Sequence, residues 1–210
     1  MSKSFYKKSS GGTIIEAVLA MGIILVVISV FLMRTMTVST MQKQSFWREQ
    51  ALFLAQENIE VVRNMRDSNW LHGCPSLTDT QNCFFWNSGF SQGENYRFIF
   101  SFLDNDQIVV LQSLTDDFSV CVQSESCRVY LDSTGKFVNE ATAQPTNFYR
   151  AMELRQICEN KTACGGDGIC ASGESCSGKV IGVEIYSFVK WWERDSWRNV
   201  EITERIYDWR

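Results

Sequence analysis

One histidine and two prolines occur in 210 residues. Any Ser/His/Asp or Cys/His arrangement would have to run through the single His72, which lies in a loop-like stretch beside Gly73 and Cys74. No Gly-x-Ser-x-Gly, His-Glu-x-x-His or complete Gly-x-x-x-x-Gly-Lys-Ser/Thr pattern occurs. Serine hydrolase, zinc protease and phosphate-loop chemistry lack their groups, and the chain is not expected to be an enzyme. Lys/Arg clusters are missing outside the first ten residues. Phosphate contacts need a basic footprint, so no nucleic-acid partner is expected. Residues 34–44 hold neither Gly nor Pro, so nothing there stops a helix.

What the chain does have is an apolar run at 13–33, long enough to cross a bilayer, with one carboxylate in it, Glu16. A charge at mid-helix in a membrane costs roughly 2.5–3.5 kcal/mol on insertion scales, so such a residue is usually there for a partner. Upstream, residues 1–10 carry Lys3, Lys7 and Lys8 and no acid. The positive-inside rule puts that end in the cytoplasm. The run exceeds a typical secretory h-region and no Ala-x-Ala site follows it, so a cleaved Sec signal fits poorly. An uncleaved signal anchor is the plainer alternative.

The eight cysteines, Cys74, Cys83, Cys121, Cys127, Cys158, Cys164, Cys170 and Cys176, all follow the apolar run. An even number on one side of a membrane reads as disulfides in an oxidising compartment, which agrees with a cytoplasmic N-terminus and an outward head. Cys74 with Cys83, and Cys121 with Cys127, are paired here by proximity, the second pair as the staple of a hairpin. The even spacing of Cys158, Cys164, Cys170 and Cys176 has no Cys-x-x-Cys knuckle, so two disulfides are favoured over zinc, with three pairings open. Residues 158–178 form a Gly-rich insertion with little apolar content. Asp167 and Glu174 are its candidate oxygen ligands for Ca²⁺, against the plainer reading of solvated acids on a turn.

The leader, the glycines and the early glutamate, in the order Gly11-Gly12-Thr13-Ile14-Ile15-Glu16-Ala17-Val18-Leu19-Ala20 before the apolar run, resemble the processing signal of type IV pilins and type II secretion pseudopilins. The resemblance implies cleavage by prepilin peptidase after Gly11, which places Glu16 fifth in the mature chain; cleavage after Gly12 is the other register. The family usually methylates a Phe at the first mature position, and here that position is Gly12. It also implies a structural subunit of a pilus-like or secretion-like filament, partnered by itself, other pilin-like subunits, assembly platform proteins and the membrane. Its site would be a single-pass cytoplasmic membrane location, then a periplasmic or extracellular filament. The alternative is a minor tip pilin or anchored adhesin that binds through the Cys-rich insertion and exposed tryptophans. Loss of residues 1–11 takes 20 basic and 24 acidic residues to 17 and 24, a mature net charge of −7.

Four segments follow: leader 1–11, membrane or filament-core helix 12–33, amphipathic helix 34–67, and a β-rich head 68–210. Leu52, Ala55, Ile59 and Val62, flanked by Ala51, Val61 and Met65, predict the packing stripe of the second helical half. Aromatic and β-branched runs predict strands at 96–103, 107–113, 118–122, 128–132, 148–157, 180–192 and 196–209, with residues 136–139 following a turn. Short turns between them imply an antiparallel sheet packed on the helix, an α+β head of pilin-like architecture. Trp191, Trp192, Trp197 and Trp209 crowd the C-terminal hairpin; side chains alternate along a strand, so Trp191 and Trp192 cannot both be buried, one of them is expected to pack on the helix, and cross-strand packing is favoured over a ligand site.

Overall fold

A computed structural model describes residues 12–72, 85–90, 97–103, 108–114, 117–139, 143–164, 166–170, 174, 176 and 178–208. The chain divides into two units, residues 1–47 and 48–210. Helix α1 spans Gly12–Leu71 and supplies every described residue of the first unit. It is long and apolar enough in its N-terminal part to cross a membrane. Ile14, Val18, Leu25 and Phe31 of that part are all exposed. Ser29, Thr35 and Thr37 return their hydroxyl protons to the carbonyls of Leu25, Phe31 and Met33, so these polar side chains are satisfied within the helix.

The second unit is α+β. Its seven strands are β1 (Arg97–Leu103), β2 (Ile108–Ser113), β3 (Arg128–Leu131), β4 (Phe137–Val138), β5 (Gln144–Cys158), β6 (Val180–Glu193) and β7 (Ser196–Tyr207). Every pairing is antiparallel. Strand β5 is central. Along one edge it pairs with β6, which pairs with β7; along the other it pairs with β3 and β1, which carry β4 and β2. The β6–β7 hairpin turns at Arg194 and Asp195, both at positive φ (46° and 61°). Such a pair of left-handed residues suits a two-residue hairpin turn.

The C-terminal part of α1 packs on one face of this sheet. Ala51 and Ala55 are fully buried, and Ser187 Oγ donates to the Ala55 carbonyl at 2.8 Å. Asn58, also buried, donates to Ser187 Oγ at 2.9 Å and to the Ala151 carbonyl at 3.2 Å. Around them Ile59, Val62, Phe98, Phe100, Leu154 and Ile185 form the main core. The small helix residues admit strand backbone, and the polar pair is acceptable there because each member has a partner. The predicted stripe is corrected at one place: Leu52 is 37% exposed, and Leu54 and Asn58 take its place inside. At roughly 100° per residue, Leu52 lies about a quarter-turn from the centre of the buried face.

Residues 118–122 are the second correction. They are not a strand but the start of α2, Phe118–Gln123. Asp117 caps this helix, accepting from Phe118 N at 2.9 Å, and Cys121 and Val122 turn inward together. Capping and a local crosslink outweigh the β-propensity of Phe and Val here. The Cys121–Cys127 disulfide therefore closes the α2–β3 turn rather than a hairpin.

Candidate functional site

Three places hold the residues singled out from the sequence. The first is the N-terminal helix. Gly11 and the leader lie outside the described residues. Gly12 opens α1, and Glu16 follows one turn later, exposed and with no ion-pair partner among the described residues.

The second is the insertion between β5 and β6. Its two disulfides are nested, with Cys158–Cys176 at the base and Cys164–Cys170 inside. The sulfurs gather in one cluster, Cys158 Sγ lying 3.2 Å from Cys164 Sγ and 3.4 Å from Cys170 Sγ. The segment is tied back to β5. Cys158 N donates to the Gly168 carbonyl at 2.8 Å, Cys170 N donates to the Gln156 carbonyl at 2.9 Å, and Ile157 bridges Ile169. Gln156 Oε1 also accepts from Cys176 N at 3.3 Å. Gly168 has φ +84°, a left-handed backbone conformation that favours glycine. Asp167 is exposed and accepts from Ile169 N at 2.9 Å in a local turn; Glu174 is exposed. Among the described residues the cluster of potential metal donors is Cys158, Cys164 and Cys170, and it includes neither carboxylate. Cys74 and Cys83 lie outside the described residues.

This nesting gives a direct expectation. Non-reducing peptide mapping should recover residue 158 joined to 176 and 164 joined to 170; a 158–164 crosslink contradicts it. Removal of the outer bridge as the Cys158→Ser/Cys176→Ser pair should cost about 3 kcal/mol, and the inner bridge about 2, because the outer loop is longer. Denaturant midpoints at constant slope would measure both.

The third place is the sheet face away from α1. Trp191 is 3% exposed and packs beside Phe148, whereas Trp192 is 44% exposed. Trp192 meets Trp197, its register partner on β7, edge-on at 5.1 Å between ring centroids. Trp197 in turn meets Tyr149 at 5.6 Å and carries Lys190 Nζ at 5.0 Å. The alternation and the cross-strand packing read from the sequence are both present; Trp209 lies outside the described residues. Further along the same face, Tyr186 stacks on Phe188 and donates to Glu201 Oε2 at 2.5 Å. Burial, with help from that carboxylate, pushes the Tyr186 phenol up to about 12. Glu153 and Glu184 lie between Arg97, Arg155 and Arg205 in a chain of ion pairs.

Two features escaped sequence reading. Gly173–Lys179 matches the first seven positions of a phosphate-binding loop. The eighth is Val180, which opens strand β6, whereas such a loop needs a hydroxyl residue and a helix N-terminus there. The other is the cavity bordered by Arg97, the neighbouring Asp117 and Phe118, and Tyr186, three places far apart in the sequence. Strand register brings Arg97 and Tyr186 to Glu153, and the capped start of α2 supplies Asp117 and Phe118.

Comparison of the chain with protein-family models, with curated proteins and with solved structures found no match.

Proposed function

We propose that the chain is a pilin-like subunit that is inserted in a membrane, cut, and assembled into a filament by helix bundling. The observation that carries this reading is the N-terminal part of α1. It is apolar around its whole circumference, exposed throughout, and interrupted by one carboxylate close to its start. A helix that is apolar all round needs lipid or other helices against every face. Lipid alone accounts for the apolar residues but gives Glu16 no partner; a bundle of copies accounts for both.

The steps follow from the chemistry. The leader lysines hold the N-terminus in the cytoplasm while the disulfide-bonded unit stands outside. Prepilin peptidase hydrolyses the Gly11–Gly12 bond, adding water across it and leaving a free α-amine on Gly12. That amine is protonated at neutral pH, its usual pKa being about 7.7–8.0. In the bundle it neutralises Glu16 of an adjacent subunit, so neither charge is buried alone. The support for this lies in the sequence order Gly11, Gly12, Glu16 and in the exposed apolar helix.

The test is the intact mass of the chain recovered from surface filaments. The expected species begins at Gly12 with an unmodified amine. A chain still beginning at Met1, or one lacking the entire apolar helix, removes this reading. A start at Thr13 would shift the register by one residue and leave Glu16 fourth.

A further inference from the structure

A cavity of about 210 Å³ opens on the outer sheet face where the start of α2 meets β1, β5 and β6. Its lining is of two kinds, aromatic and charged. Phe118 lies edge-on to Phe188 at 4.0 Å between centroids, and Phe188 continues into Tyr186 at 6.4 Å in a stacked pair. The same lining holds Arg97, Asp117, which precedes Phe118, and Glu153, the register partner of Tyr186. The floor includes Ala151, the register partner of Phe188. An alanine at that central strand position leaves room that a larger side chain would take.

The charged lining is close to charge balance. Arg97 reaches Asp117 at 3.4 Å and Glu153 at 3.6 Å, and Glu153 also receives Arg155 at 2.9 Å. Its carboxylates are already paired, so it holds no excess charge to draw a cation, and two acids oppose an anion. It retains unused hydrogen-bonding capacity: a guanidinium offers five N–H donors and each carboxylate about four acceptor positions. A wholly apolar ligand would take those groups out of water with nothing in return. The ligand that answers both kinds of lining is neutral, has hydroxyls that donate and accept, and has an apolar face for the aromatic rings. Size narrows it further. Drug-sized ligands fill clefts of about 300–1,000 Å³, so this cavity takes one ring.

From these features we infer that the cavity bordered by Phe118, Phe188, Tyr186, Arg97, Asp117 and Glu153 binds a single neutral pyranose unit. The ring's C–H face lies on the aromatic lining and its hydroxyls meet the charged groups. The site is separate from the Cys-rich insertion and from the Trp192–Trp197 pair. It lies wholly within residues 48–210, so it does not depend on the filament reading.

Saturation-transfer NMR on the full chain in lipid nanodiscs, free of glycosidic detergent, tests it. The probes are methyl glycosides of glucose, galactose, mannose and N-acetylglucosamine at millimolar concentration. At least one should receive saturation at its ring C–H protons. Phe188→Ala should weaken that ligand about tenfold or more. Glu153→Gln keeps the side chain's shape and should weaken it several-fold, with unchanged near-ultraviolet circular dichroism showing that the fold is intact. Trp192→Ala should leave binding unchanged. No transfer to any glycoside overturns the proposal. So does preferential binding of tetramethylammonium, and so does a sugar signal that survives Phe188→Ala and Glu153→Gln but is lost in Trp192→Ala.

Discussion

Glu57→Ala is expected to destabilise the head by about 3 kcal/mol and Arg150→Met by only about 1 kcal/mol, although both break the same ion pair. Arg150 is 1% exposed on β5, where its Nη1 meets Glu57 Oε2 of α1 at 2.5 Å. Its Nη2 donates to Asn139 Oδ1 at 3.0 Å, and its guanidinium lies 4.1 Å over the Phe100 ring. Nε has no hydrogen-bond partner among the described residues. Burial pushes this guanidinium below its ordinary pKa, and Glu57 pulls the other way. The carboxylate side chain is 35% exposed, so water can serve it when the arginine is gone. The arginine has no such recourse. Removing Glu57 therefore strands a buried cation, whereas Arg150→Met removes the charge, fills much of the volume and eliminates the orphaned Nε. The double variant Glu57→Leu/Arg150→Met should come close to the wild type, since a buried pair exchanged for apolar residues is often neutral. Denaturant unfolding of the full chain with disulfides intact, followed by tryptophan fluorescence, gives all three values. Equal losses for the two single variants, or a larger one for Arg150→Met, would show that the guanidinium is not dependent on Glu57.

That ion pair marks the boundary of what the sequence made legible. The long helix was readable because its apolar run and its packing stripe are local patterns, and five of the predicted strands coincide with β1, β2, β3, β6 and β7 to within about two residues. Strand β5 extends from Gln144 rather than 148, because its early residues pair with β3 rather than bury apolar side chains. The disulfide nesting was not readable, since equal six-residue spacing favours no pairing over another. Asn58, Arg150 and Ser187 were invisible for a deeper reason. Each is polar, and each is buried only because a group more than 90 residues away in sequence, or its equivalent across the helix–sheet contact, satisfies it. The outer-face cavity repeats the lesson: Arg97, Asp117, Glu153 and Phe188 have no common motif, and strand register together with the capped start of α2 makes them neighbours.

Glu16→Ala should leave the chain inserted in the membrane and reduce its recovery in filaments by about a hundredfold. Two opposite effects make the result diagnostic. In the bilayer the substitution removes a charge that costs roughly 2.5–3.5 kcal/mol at mid-helix, less near the edge, so insertion is maintained or improved. In the proposed bundle it would strand the Gly12 ammonium of the adjacent subunit among apolar side chains. Breaking a buried ion pair from one side costs about 3–5 kcal/mol, and 2.7 kcal/mol already corresponds to about a hundredfold. Glu16→Gln should fail nearly as badly as Ala, because the amide keeps the size and polarity but not the charge. Glu16→Asp should recover part of the loss, because it keeps the charge on a shorter arm. Immunoblots of sheared surface filaments against the membrane fraction separate the two compartments. Normal incorporation of Glu16→Gln would mean that shape or hydrogen bonding, and not charge, is what the bundle requires at this position. Loss of both fractions together would assign Glu16 to insertion or chain stability and end the case for an intersubunit pair.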